Sequence, residues 1–241
     1  MQLDSIAVKL RPRSMPESAD LGVRLVQVHA RSVWGTCAPL FIVVFALALS
    51  TVEIASWLPT LLIFWLKPWL DRSVLFVLSR AVFGQSTRCA DLWRAQRSVW
   101  WRQLPSTLLL RRLSPWRAFT QPIRQLEGQH GKAMVQRRAQ LLRGQRGSAL
   151  SMHAAFAHAE LALDIGLLTL LLLFAPSASR QGLFGWLVSG DTASSVTLAL
   201  AYSLVVLMLE PMYVAAGFAM YLNRRVQLEA WDIEQEFRRA F

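Results

Sequence analysis

From Val196 the chain runs through VTLALAYSLVVLMLEPMYVAAGFAMYL with a single acid, Glu210, and then meets Asn223, Arg224 and Arg225. A helix of ~20 apolar residues crosses the ~30 Å hydrocarbon core of a bilayer. Within that core each backbone polar group must be satisfied by the protein itself, so an apolar run of this length folds as a helix. An acid inside it and a basic stop after it read as a membrane span and its cytoplasmic exit. Three further apolar blocks repeat the pattern. Hydrophobic residues make up 54% of the 241, and mean hydropathy is +0.34, more apolar than ordinary soluble domains. A formal charge of +11 would point to nucleic acid in a soluble protein, but here Lys and Arg avoid the apolar blocks and crowd between them. The expected fold is all-α and polytopic, with about four transmembrane helices and further amphipathic helices that are interfacial or cytoplasmic.

Residues 1–34 form the expected N-terminal cytoplasmic segment. Its first fifteen residues alternate charged and apolar side chains and lack a continuous apolar core or a cleavage site, so the first apolar block is expected to remain in the mature protein. Pro16 and Glu17 suit the first turn of an amphipathic helix whose apolar face carries Leu21, Leu25 and Val28. Such a helix is expected to lie at the membrane surface, with Arg24, His29 and Arg31 toward headgroups. Residues 35–79 then read as a transmembrane hairpin. Its first arm, 35–51, is uncharged, and Glu53 and Ser56 leave room only for a tight reversal. The second arm is interrupted by Lys67, Pro68, Asp71 and Arg72. Two readings stay open: one kinked span over 54–77, or a span ending at Leu66 followed by a surface helix over 74–82. In either, Pro68 frees a backbone carbonyl that needs another partner.

Residues 80–155 are the basic cytoplasmic region. Arg94, Arg97, Arg102, Arg111, Arg112, Arg137 and Arg138 are the expected contacts to anionic lipid headgroups or to a partner protein. Trp93, Trp100 and Trp101 interleave with the first of these, as in interfacial helices. The same interleaving could stack nucleic-acid bases, a reading set aside because two apolar hairpins flank it. Pro105, Pro115 and Pro122 divide the region, and a helix is expected from Pro122 through Arg143. Residues 156–222 form the second hairpin, with spans over 156–175 and 196–221 and a short outer loop carrying Leu183, Phe184 and Trp186. Ala155, Ala159, Ala162 and Gly166 form a small-residue side on which another helix is expected to pack. Ala215 and Ala219 form a second small pair. The tail, 223–241, is expected to be a cytoplasmic helix that folds back on the basic region.

The strings EPMYVAAGFAMYLNRRVQLEAWDIEQEFRR, LKPWLDRSVLFVLSRAVFG and RLSPWRAFTQPIRQLEG together resemble a family of uncharacterised bacterial polytopic inner-membrane proteins. More remotely the arrangement is similar to membrane domains attached to some glycerophosphodiester phosphodiesterases. The resemblance implies a bacterial cytoplasmic membrane and brings no catalytic residues; that both termini are cytoplasmic is expected from the arginines near both membrane ends of the basic region.

Charges inside spans are expensive, on the order of 3 kcal/mol each on insertion scales, so they are expected to face one another. Lys67, Asp71, Arg72, Glu160, Asp164 and Glu210 are thus the expected intramembrane cluster, with Lys67 and Arg72 neutralising the acids and Glu160 at its wet edge. Lys67 and Asp71, four apart, share a helical face and could pair. His153, Glu160 and Asp164 also share a face, but spacing alone does not make a metal site, and no metal or cofactor is expected. GQHGKA at 128–133 lacks the spacing and the hydroxyl residue of a phosphate loop. Cys37 and Cys89 stand alone, indicating neither a disulfide framework nor a Cys metal site. No nucleophile and base pattern appears. The leading functional expectation is a non-catalytic scaffold or subunit of a membrane complex. Its rival is a small transporter or lipid-handling component working through the charged cluster, an enzyme ranking third. Partners are then membrane lipids and other membrane proteins or further copies of the chain.

Overall fold

The computed structural model describes residues 12–101, 104–109, 114–176 and 179–229. Every regular element among them is helical: α1 (Met15–Val28), α2 (Ala30–Leu49), α3 (Leu58–Ala81), α4 (Cys89–Arg94), a π-helical turn (Arg97–Trp101), α5 (Leu104–Leu108), α6 (Arg117–Gln125), α7 (Gly131–Leu142), α8 (Arg146–Phe174), α9 (Arg180–Leu187) and α10 (Thr192–Glu229). Three of them, α2, α8 and α10, are long and apolar enough to cross a membrane. Exposed Ile42, Val43, Leu47, Leu163, Ile165 and Phe174 band these helices on the outside, an apolar surface far larger than a soluble monomer tolerates.

The long α10 is the axis of the molecule, touching α1, α2, α3, α6 and α8. Its stretch Tyr213 to Phe218 is buried throughout. Gly22 lets α1 approach so closely that an added Cβ would clash with the Ala215 carbonyl, and Gly217 does the same for α6 at Ala118. Small residues therefore set both separations, as in close helix packing generally.

α1 packs by a face other than the expected one of Leu21, Leu25 and Val28. Its start is capped by Ser14 Oγ, which accepts from the Glu17 N–H at 3.4 Å. Its packed face is Met15, Ser18, Gly22 and Val26, whereas Val28 is 71% exposed. The apolar run chosen from the sequence weighed side-chain size, but the element that α1 meets rewards smallness.

Residues 58–81 are one helix that continues through Pro68. Val74, Leu75, Val77, Leu78 and Ala81 are all buried, which rules out the alternative of a separate surface helix there. Pro122 lies inside α6, and the chain then turns before α7 begins at Gly131, so the single helix expected from Pro122 to Arg143 is two. Among the described residues no helix packs on the small side of α8: Ala155, Ala162 and Gly166 are exposed, and no atom of another element comes within 4 Å of a Cβ added at Gly166. Of the second small pair, Ala215 is fully buried. Asn223, Arg224 and Arg225 continue α10 without a break as far as Glu229, and residues 230–241 of the expected tail helix lie outside the described residues.

Each proline inside a long helix removes one backbone donor and strands the carbonyl four residues earlier. For Pro211 that carbonyl is Leu207, and the Trp34 indole donates to it at 3.2 Å. For Pro39 it is Gly35, which accepts from Cys89 Sγ at 3.2 Å. The breaks at Pro39 and Pro211, two of the three in the long helices, are thus closed by side chains from a neighbouring element.

Candidate functional site

Four of the six expected cluster residues meet between α3, α8 and α10, together with one that the sequence did not single out. Lys67 Nζ on α3 donates to Glu160 Oε2 on α8 at 2.5 Å and lies 2.8 Å from Glu210 Oε2 on α10. Arg117, at the first position of α6, places Nη2 2.7 Å from Glu210 Oε1 and Nε 3.0 Å from Asp71 Oδ2. Glu210 therefore bridges two cations, and each cation bridges two carboxylates. Asp71 is 0% exposed and Glu210 2%, where an unpaired charge would cost several kcal/mol. Burial acts to lower the Arg117 pKa, but the charge of Asp71, with help from Glu210, raises it above the ordinary arginine value. The Arg117 guanidinium also stands over the Tyr213 ring, 5.1 Å from its centroid.

Two expected members sit elsewhere. Arg72 points away from the cluster, its Nη2 donating to the Ser98 carbonyl at 3.0 Å and its Nη1 to Thr107 Oγ1 at 3.3 Å. These bonds tie the stretch around Ser98 and Thr107 to α3, and among the described residues Asp71 pairs with Arg117 in place of the expected Lys67 or Arg72. Asp164 lies one turn beyond Glu160 on α8, and its Oδ1 is enclosed with no hydrogen-bond partner among the described residues.

These groups floor one end of a cavity of about 1110 Å³ between α3, α8, α10 and the segment leading into α6. Toward its other end the walls are Trp57, the residue that precedes α3, Leu61 and Phe64 of α3, and Leu198 and Tyr202 of α10. Leu61 of α3 and Leu161 of α8, which line it, are 41% and 59% exposed, and α3 and α8 each pack more extensively on α10 than on each other. At ~1.5 Å per residue, the distance from Lys67 to Trp57 along α3 is roughly 15 Å. His153 and Phe156, at the inner end, meet Tyr213: the His153 Nδ1 is 3.0 Å from the Tyr213 hydroxyl, and the Phe156 and Tyr213 rings meet edge to face at 5.6 Å. His153, Glu160 and Asp164 do line one cavity, yet no group of three His, Cys, Asp or Glu among the described residues is placed to hold a metal ion.

The basic region divides in a way the sequence does not announce. Arg94 is exposed, 3.9 Å from Asp91, and Arg97 is exposed on the π-helical turn. Arg137, an expected lipid or partner contact, is half-buried and pairs with Glu127 at 3.0 Å and with Glu229 of α10. Burial works to lower its pKa, and hydrogen bonds to Glu127 and Glu229 raise it. Tyr221 donates to the same Glu127 at 2.6 Å, and Arg225 closes the knot on Glu229 at 2.5 Å. Arg138 lies over the Trp116 ring and reaches Ser114 Oγ at 3.4 Å. Trp93 and Trp101 are 63% and 64% exposed, but Trp100 turns in, its indole donating to Ser73 Oγ at 2.9 Å. Arg102, Arg111 and Arg112 lie outside the described residues.

No family model matches the chain, and no curated protein or solved structure matches it either.

Proposed function

We propose that the chain is a lipid-handling protein or small transporter of a bacterial cytoplasmic membrane, and that it holds an amphiphile between α3, α8 and α10. The observation that carries this reading is the cavity of about 1110 Å³, apolar at one end and charged at the other. Its length of roughly 15 Å from Lys67 to Trp57 is half the ~30 Å of a hydrocarbon core, the depth of one leaflet. The opening between α3 and α8 faces sideways, where a lipid could enter from the bilayer. In this reading α3 is a fourth span, both termini are cytoplasmic, and exposed Arg94, Arg97, Trp93 and Trp101 rest on anionic headgroups at the inner surface.

Purification in a mild detergent followed by native mass spectrometry tests it. A bound lipid is expected on the wild type and absent from Ala157→Trp, which fills the cavity from an exposed position on α8. Lipid-free protein from both overturns the reading. The rival, a scaffold subunit, draws on one observation: none of the most apolar stretch of α8 is buried, a surface on which a partner helix fits. Stable co-purifying membrane proteins whose retention is unaffected by Ala157→Trp would favour that rival.

A further inference from the structure

The amphiphile reading leaves the headgroup open, and charge balance within the cavity narrows it. Among the described residues, Lys67 and Arg117 are the lysine and arginine that line the cavity, and Glu160, Asp164 and Glu210 are the carboxylates, with Asp71 behind Arg117. Each cation is already shared between two carboxylates. An anionic headgroup such as a phosphate would have to strip one of these cations from buried acids, which is costly. Among the described residues that line the cavity the surplus runs the other way: Lys67 and Arg117 are outnumbered by Glu160, Asp164 and Glu210, and no ion pair of the cluster reaches Asp164.

Rings complete the picture. Phe64, Phe156 and Tyr202 line the same cavity as Glu160 and Asp164. Lys67 meets Glu160, and Phe64 and Asp164 each lie about one turn from that pair, on α3 and α8, and line the same cavity. Aromatic faces beside carboxylates are the surroundings that recognise ammonium groups, through the ring quadrupole as well as through charge. Tyr213 already serves the Arg117 cation in this way.

We infer that the cavity selects amphiphiles with an ammonium headgroup, seated between Glu160 and Asp164 with the tail toward Trp57. This inference rests on the amphiphile reading above. An ammonium at this place also competes with Lys67 for Glu160, the ion pair that ties α8 to α3, so binding loosens that tie and widens the lateral opening.

Equilibrium dialysis of the detergent-solubilised protein against two labelled probes tests the inference. One is decyltrimethylammonium; the other is decyldimethylphosphine oxide, with the same tail and an uncharged head of similar size. Empty micelles serve as the blank. The ammonium probe is expected to bind saturably and about tenfold or more tighter than the uncharged one, and Asp164→Asn and Glu160→Gln are expected to abolish that preference. Asp191→Asn, on the exposed turn before α10, should leave it intact. Equal binding of both probes, lost in Ala157→Trp, overturns the headgroup assignment and leaves the cavity reading standing. Preference unchanged in Asp164→Asn and Glu160→Gln likewise overturns the assignment. Binding of neither probe above empty micelles overturns both readings. The comparison of probes on the wild type needs no variant, so a poorly folding Asp164→Asn would not decide the outcome.

Discussion

At the scale of single residues, the arrangement at Glu210 makes a graded prediction. Each cation holds two acids, so Glu210→Gln still leaves Lys67 with Glu160 and Arg117 with Asp71. Arg117→Leu, by contrast, leaves Asp71, 0% exposed, without its ion-pair partner. Breaking a buried pair from one side costs about 3 to 5 kcal/mol, while removing both partners can be near neutral. Thermal unfolding in mild detergent should therefore show Arg117→Leu as the more damaging change, and Asp71→Asn should restore much of the loss in the double variant. Additive losses in the two single variants would refute the pairing. Lys67, Asp71, Glu160 and Glu210 were legible in the sequence because a charge in an apolar run has nowhere else to go. Arg117 was not, since it is one of many arginines in a basic region and nothing in RLSPWRAFTQP marks it as turned inward. The misplacement of Arg72 was avoidable: five residues from Lys67 on a helix means roughly 140° around the axis, off the shared face.

At the scale of elements, the helix lengths followed from apolar runs, but the contacts between helices did not. Periodicity weighs large side chains, and the closest approaches here belong to Gly22 against Ala215 and Gly217 against Ala118, where the missing Cβ is the signal. The prolines were visible, and so was the requirement that each stranded carbonyl find a donor; the identity of the donor depends on tertiary placement. Trp34 supplies it for Pro211 across 173 residues of sequence. Trp34→Phe keeps the ring's bulk and removes the N–H, leaving the Leu207 carbonyl unsatisfied beside the kink-prone site. The expected loss is ~1 to 3 kcal/mol, read as a lower unfolding temperature. A second expectation is faster amide exchange localised to α10 on either side of Pro211. Unchanged exchange there would mean that this indole bond does not hold the helix.

At the scale of the whole molecule, one contact bears on how many times the chain crosses the bilayer. The backbone N–H of Arg13 donates to Asn223 Oδ1 at 2.9 Å, and Asn223 Nδ2 donates back to the Arg13 carbonyl at 2.9 Å. The start of α1 and the basic end of α10 therefore lie at one level, on one side. Three crossings by α2, α8 and α10 alone would put those ends on opposite sides, because an odd number of passes inverts the chain. On the proposed four-span reading α3 passes as well, despite Lys67, Asp71 and Arg72, and the ion-pair partners of Lys67 and Asp71 lower the cost of that passage. Cysteine labelling decides the matter. In a Cys37→Ala, Cys89→Ser background, Glu53→Cys probes the turn between α2 and α3, Ser86→Cys the segment after α3, and Thr192→Cys the start of α10; all three positions are exposed. A membrane-impermeant maleimide added to intact cells should modify Glu53→Cys and Thr192→Cys, and Ser86→Cys only after lysis. Modification of Glu53→Cys and Ser86→Cys from the same side would mean that α3 turns back without crossing, and the lateral cavity between α3 and α8 would then open to water in place of lipid.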